Sequence, residues 1–340
     1  MIGASTSRTI SLPGCAASLD ELLTGAQSRE PLDNTVGKSG ATLERVVIDG
    51  RSLVLKHLRR DEDWTMRAAG VLPGATALAW SRGLLGRLPA CFAPVIIGVA
   101  TTADGSAILM HDVQRWLVPA VDDPVPLTQH RDFLDAMAEL HAAFWECGSE
   151  AEVVPEMHRY LDLSLWTAQA ESWLGSDHLV PRLIERGWAE LAVVAPRASA
   201  AVAPLAFDPG LLVAALAATP RTFVHGNWKL DNLGSDDRGR TVLLDWELPG
   251  FGAPLSDLAW YLAINCRRIP ESKEAAIEAY RQSLHGHGVD THGWWDTQLD
   301  LALLGALVQF GWEKAFSGYD DELAWWERRA LAGAARLPSG

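Results

Sequence analysis

Hydrophobic and polar positions follow two different periods along this chain, short alternating runs first and helical spacing afterwards. Val46-Val47-Ile48, Asp49-Gly50 and Ser52-Leu53-Val54-Leu55-Lys56 predict strand, tight turn and strand within Thr35–Leu58. Asp-Gly suits a two-residue hairpin turn, whose central residues need positive φ. A helical stretch follows through Ala75–Trp80 to Leu88, and the runs Val95–Val99 and Ala107–Met110 flank the polar turn Thr101–Ser106 as a second hairpin. Residues 31–112 therefore form a small β-rich unit with one embedded helix. Residues 1–30 read as a loosely packed lead-in with a short helix candidate at Ser18–Leu23.

Beyond Pro126 the period is mostly helical. Phe133-Leu134, Met137, Leu140-His141 and Phe144 recur at i, i+3, i+4 and i+7 and mark one apolar face. Helices are expected over 158–175 and 177–195, then an Ala/Pro-rich connector, Ala195–Pro209, and an apolar run at Leu211–Ala217. Further helices are expected at Leu255–Ile264, Lys273–His285, Trp294–Phe316 and Asp321–Ala335. This order gives an α+β fold of two lobes, a small one over residues 1–112 and a large helical one over 113–340.

With 340 residues, 48% hydrophobic, the chain can bury a core large enough for two lobes. A formal net charge of −14 speaks against binding a phosphate backbone, so no nucleic-acid partner is expected. Four widely spaced cysteines without a CxxC pair read as reduced thiols. Neither a secretory leader nor a long apolar span is visible, which predicts a cytoplasmic protein without a membrane partner.

The chemistry concentrates in His225-Gly226-Asn227-Trp228-Lys229-Leu230-Asp231-Asn232 and Asp245-Trp246-Glu247. Asn232 and Asp245 are hard oxygen donors flanking a strand–turn–strand over 233–244, a spacing that brings both to one edge where they could hold Mg²⁺. Lys56, ending a strand of the small lobe, supplies a cation for phosphates, and Gly37, Ser39 and Gly40 lie on the preceding turn. Gly37-Lys38-Ser39 is not a P-loop, because Leu32 stands where that motif needs glycine.

His225-Gly226 with Asn232, Asp245-Trp246-Glu247, and Gly252-x-Pro254-x-x-Asp257-Leu258-Ala259 together resemble the aminoglycoside phosphotransferase and choline kinase-like family. Leu140-His141-Ala142 and the strand lysine Lys56 extend the resemblance over most of residues 35–265. The resemblance implies a protein-kinase-like fold, a nucleotide (ATP or GTP), Mg²⁺, and a small-molecule acceptor with a hydroxyl. By it, His225 anchors the catalytic loop, Asp257 holds that loop from a helix beneath, and Asn232 and Asp245 bind metal. Met110 and Asp112 fall at the lobe junction that meets the nucleobase, and Trp312 and Glu313 fall in helices that build acceptor pockets.

Two positions depart from the family. Asn227 stands where an aspartate accepts the substrate hydroxyl's proton, and an amide cannot take a proton. Asp231 is the nearest other carboxylate in the loop. Between Trp64 and Ala103 there is no acidic residue to orient Lys56, which leaves Asp61, Glu62 and Asp63 as its candidate partners. The expected function is phosphorylation of a small-molecule hydroxyl, such as an antibiotic, a sugar or an amino alcohol. The alternative is a degenerate kinase fold that binds nucleotide or a small ligand without turnover. The short gap from Asp245 to Asp257 leaves no activation segment and disfavours a protein kinase.

Overall fold

The computed structural model describes residues 11–33 and 39–338. The small lobe is one antiparallel sheet of β1 (Ala26–Leu32), β2 (Thr42–Ile48), β3 (Arg51–Arg59), β4 (Ile96–Thr101) and β5 (Gly105–His111). Its order is β1-β2-β3-β5-β4, with α1 (Leu19–Leu22) before it and α2 (Trp64–Ala69) and α3 (Ala75–Ser81) between β3 and β4. The β2–β3 turn has Asp49 at φ 50° and Gly50 at φ 71°, the left-handed pair its sequence predicts.

The lead-in is less loose than expected, because it contributes the edge strand β1. That strand is mostly exposed and polar and carries Pro31, so no hydrophobic alternation betrays it. The helix expected from Ala75 to Leu88 ends at Ser81, with only a 3-10 turn at Leu85–Arg87 beyond it, and a separate helix, α2, precedes it across Gly70, Pro73 and Gly74.

The large lobe contains α4 (Leu127–Ala143), α5 (Glu156–Leu161), α6 (Leu165–Trp173), α7 (Leu179–Val194), α8 (Pro196–Val202) and α9 (Gly210–Ala217). Then come β6 (Thr222–Val224), β7 (Leu233–Ser235), β8 (Thr241–Leu243), β9 (Gly250–Gly252), α10 (Pro254–Ile264), α11 (Lys273–Gly286), α12 (Trp295–Ala315) and α13 (Asp321–Ala334). The main core fills this lobe around α12, which is apolar on nearly every side and almost wholly buried.

Two helix expectations are corrected. The segment 158–175 is not one helix but α5 and α6, broken at Asp162-Leu163-Ser164. Ser164 starts the new helix: its Oγ donates to Leu161 O (2.7 Å) and accepts the Thr167 N–H (3.4 Å). The Ala/Pro-rich connector contains α8, since Pro196 is tolerated at a first helical position and the alanines behind it favour helix.

Candidate active site

Strand β6 pairs antiparallel with β9 and delivers the chain into His225 and Gly226. Gly226 has φ 77°, and a Cβ there would lie 2.2 Å from Leu248 O, so only glycine fits this turn. Asp257, buried on α10, accepts the backbone N–H groups of His225 and Gly226, both at 2.7 Å. His141 Nε2 lies 3.2 Å from the same carboxylate, and its Nδ1 is 2.6 Å from Tyr280 Oη. Burial alone would raise the Asp257 carboxyl, but its bond to His141, nearby histidines and the loop amides bring it below the usual range.

His225 ties the loop to the next hairpin. Its Nδ1 accepts the Asn227 N–H at 3.2 Å and its Nε2–H donates to Leu244 O at 3.0 Å, which requires the neutral ring. Burial lowers its pKa, in agreement with those two bonds. Trp246 stacks on Phe223 (5.8 Å between centroids) and meets the His225 ring edge-on at 4.5 Å, closing the loop from below.

The β7–β8 hairpin sets Asn232 and Asp245 at its two ends, joined by Leu244 N–H to Asn232 O at 2.9 Å. Asp245 adopts φ 70°, a left-handed conformation that aspartate tolerates better than most residues and that its hydrogen bonds hold here. Its Oδ1 accepts from Lys56 Nζ at 2.5 Å and its Oδ2 from Asn227 Nδ2 at 2.8 Å. Asn232 Nδ2 donates to Asn227 O at 3.0 Å. Asn227 and Asn232 thus brace the loop against Asp245.

Lys56 also bonds Glu247, so its partners come from the large lobe and not from Asp61, Glu62 or Asp63. Asp63 is committed elsewhere, since it caps α2 through the Met66 N–H (3.0 Å) and accepts from Ser39 Oγ (2.9 Å). Glu62 pairs with Arg59 and Asp61 is exposed. Burial would lower the Lys56 pKa, but the charges of Asp245 and Glu247 outweigh it and raise it. Burial likewise opposes ionisation of Asp245, yet Lys56 and Lys229 hold it ionised, while burial and the Asp245 charge push Glu247 up. One ammonium therefore serves two adjacent carboxylates, and Asp245 keeps the charge.

A cavity opens beside this cluster between the lobes. Ile96, Ile108 and Met110 line it from the sheet, Leu243 and Leu244 from the hairpin, and Lys56 and Asp245 stand at its charged end. Asp112 is not among its lining residues; its carboxylate accepts the Gln114 N–H at 3.3 Å. Ser39 is tied to Asp63, and Gly40 is needed for packing, because a Cβ there would meet Glu62 O at 2.1 Å. Gly37 lies outside the described residues. Trp312 packs beside Gly187 and Phe316, and Glu313 pairs with Lys314, with no hydrogen bond or ring contact to the catalytic loop among the described residues.

The oxygens of Asp245 and Asn232, with Glu247 close by, suit a hard divalent cation. A carboxylate held ionised by a lysine is already built to face positive charge. Sequence reasoning named Glu247 in this motif but gave it no role, because its bond to Lys56 depends on the left-handed turn at Asp245 and on the approach of the two lobes.

The profile of the phosphotransferase enzyme family (APH) matches residues 45–294. The chain belongs to that family. Its two-lobed α+β build is the protein-kinase-like one. Among solved structures it is similar to choline kinase LicA from Streptococcus pneumoniae, at 13% identity over 93% of this chain and 96% of that one, with TM-score 0.49. It is also similar to a thermostable aminoglycoside phosphotransferase APH(4)-Ia with ADP and hygromycin B, at 14% identity over 95% and 98% of the two chains, TM-score 0.46. Macrolide 2'-phosphotransferase MphH from Brachybacterium faecium matches at 17% identity over 92% and 93%, also with TM-score 0.46. No curated protein matches the sequence significantly. Among the described residues, no helix is long and apolar enough to cross a membrane.

Proposed function

We propose that this phosphotransferase-family chain moves the γ-phosphoryl group of ATP or GTP to a hydroxyl on a small molecule. The observation that carries the proposal is the convergence of Lys56, Asp245, Asn232 and Asn227 on the cleft, with Asp257 fixing the loop between them. The nucleobase would lie against the apolar side of the cleft at Ile96, Ile108, Met110 and Leu243, with phosphates directed toward Lys56. Lys56 would neutralise phosphate oxygens, and Asp245 and Asn232 would hold Mg²⁺, which when bound supplies charge neutralisation on the transferring group. Asn227 keeps Asp245 in place through its NH₂ and leaves its carbonyl oxygen to accept a hydrogen bond from the acceptor hydroxyl. Antibiotics, sugars and amino alcohols are all acceptors of the right chemistry.

A second reading keeps nucleotide binding and drops turnover, and Asn227 is the observation that favours it, since no carboxylate stands at that place. A nucleotide-consumption screen over hydroxylated small molecules, run with the native chain and Asn227→Asp, separates the two. Turnover by the native chain, abolished in Asp245→Asn, supports the transfer reading. Mg²⁺-nucleotide binding with turnover appearing only in Asn227→Asp supports the second. No nucleotide binding in either form would refute both.

A further inference from the structure

Asn227 and Asn232 are both buried in the catalytic loop, so their polar groups are served by the protein and little by bulk water. The backbone of Asn227 is pinned on both sides. Its N–H donates to His225 Nδ1 (3.2 Å), and its carbonyl accepts from the Lys229 N–H (2.9 Å) and from Asn232 Nδ2 (3.0 Å). Only the side-chain amide is left to turn. That amide donates to Asp245 Oδ2 at 2.8 Å, while its own Oδ1 accepts no hydrogen bond among the described residues. Asn232 is in the same position, because its NH₂ is committed to Asn227 O and its Oδ1 has no donor among the described residues. Two buried asparagines thus stand beside one carboxylate, each with a side-chain oxygen unused.

The direction of the Asn227 amide follows from charge. Against a carboxylate oxygen paired with Lys56, only the NH₂ end is attracted, and the oxygen end is repelled. A divalent cation beside Asp245 reverses that preference, because it draws the amide oxygen and repels the NH₂. The spacing suits the exchange. Two oxygens on one edge of an octahedral magnesium shell lie about 3.0 Å apart, and the Asn227 amide stands 2.8 Å from Asp245 Oδ2. Lys56 takes the other oxygen, Oδ1, at 2.5 Å, which leaves Oδ2 for the cation. An aspartate at 227 would meet Asp245 as a like charge at that spacing. A neutral amide faces the carboxylate when the cation is absent and can ligate when it is present.

We propose that Asn227 is a third cation ligand beside Asp245 and Asn232, reached by half a turn of its side-chain amide. The proposal rests on the phosphoryl-transfer reading above, which supplies Mg²⁺ and a nucleotide. Without the cation, the NH₂ of Asn227 holds Asp245, as the 2.8 Å bond shows. With it, Oδ1 coordinates, and the second lone pair of that oxygen accepts the acceptor hydroxyl. The hydroxyl is then held next to the cation. Position 227 thereby serves through ligation and positioning, which an amide oxygen can do for a hard cation without taking a proton.

The test reads cation binding in the full chain, apart from turnover. Mn²⁺ affinity comes from the electron paramagnetic resonance of free Mn²⁺, and the Asn227 side-chain NH₂ signal is followed by NMR during a Mg²⁺ titration. A melting curve accompanies each variant. The native chain should bind Mn²⁺, and Asp245→Asn should not. Asn227→Ala should bind at least roughly 10-fold more weakly, since even groups outside the ligand shell are commonly worth that much. Asn227→Asp should bind more tightly than the native chain. The NH₂ signal, assigned by its loss in Asn227→Asp, should start where a donor to a carboxylate resonates and leave that position as Mg²⁺ saturates. Mn²⁺ binding by Asn227→Ala at native strength or tighter would overturn the proposal. An NH₂ signal unmoved at saturation would also overturn it, since the amide would then only hold Asp245. So would a native chain that binds nucleotide and no Mn²⁺. Absence of both Mn²⁺ and nucleotide binding would instead overturn the phosphotransferase reading itself.

Discussion

Asp257 and Asp162 are both buried carboxylates, 1% and 3% exposed, and they are treated in opposite ways. Asp257 meets two backbone N–H groups at 2.7 Å and His141 at 3.2 Å. Asp162 has an oxygen that meets nothing among the described residues. The first carboxyl lies below its ordinary range, and the second is pushed up to about 7. A paired buried carboxylate is a structural tie; an unpaired one is a group waiting for a ligand or a proton.

The comparison can be broken most forcefully at Asp257. Asp257→Ala leaves two loop amides and His141 without their acceptor, and urea unfolding should show a loss of about 3–5 kcal/mol. The depressed Asp257 carboxyl contributes stability that is full above its unfolded value of 3.8 and lost as pH falls through the folded value.

Asp162 has the opposite sign. Its folded pKa is raised, so its contribution is full below 3.8 and is lost as pH rises through about 7. Unfolding of the native chain and Asp162→Asn across that window should diverge in favour of the variant, by about 2–4 kcal/mol at pH above 7. A divergence in favour of the native chain would mean that Asp162 is paired after all.

Gly250→Ala sharpens the contrast from a distance, because a Cβ there would lie 2.2 Å from Arg159 Nη1 and 2.5 Å from Val154 O. Arg159 is the tie that fixes α5, so a stability loss of about 1–3 kcal/mol is expected, with nucleotide turnover falling alongside it. Asp231→Asn changes an exposed side chain and should move stability by less than about 0.5 kcal/mol and turnover not at all.

Much of the fold was legible because its signals are local. Asp49-Gly50 marked the β2–β3 hairpin, and the apolar spacing from Phe133 to Phe144 marked α4. The edge strand β1 was not legible, since an exposed polar strand carries no burial pattern. Nor was the break at Asp162–Ser164, which rests on side-chain bonds to a single carbonyl. The candidate site divided along the same line. Asn232 and Asp245 are joined by a hairpin written in the sequence, so their meeting could be foreseen. The partners of Lys56 could not, because Asp245 and Glu247 lie 189 and 191 positions away across the lobes. Whether a carboxylate is paired is a property of distant contacts, and for that reason Asp162 looked like any other helix aspartate.

The most direct measurement is a titration of the aspartate carboxyl carbons by NMR in the native chain, assigned with Asp162→Asn and Asp257→Asn. Asp162 should titrate near 7, and Asp257 should remain ionised to below 3.8. Asp162 titrating with the exposed aspartates would contradict the distinction between the two.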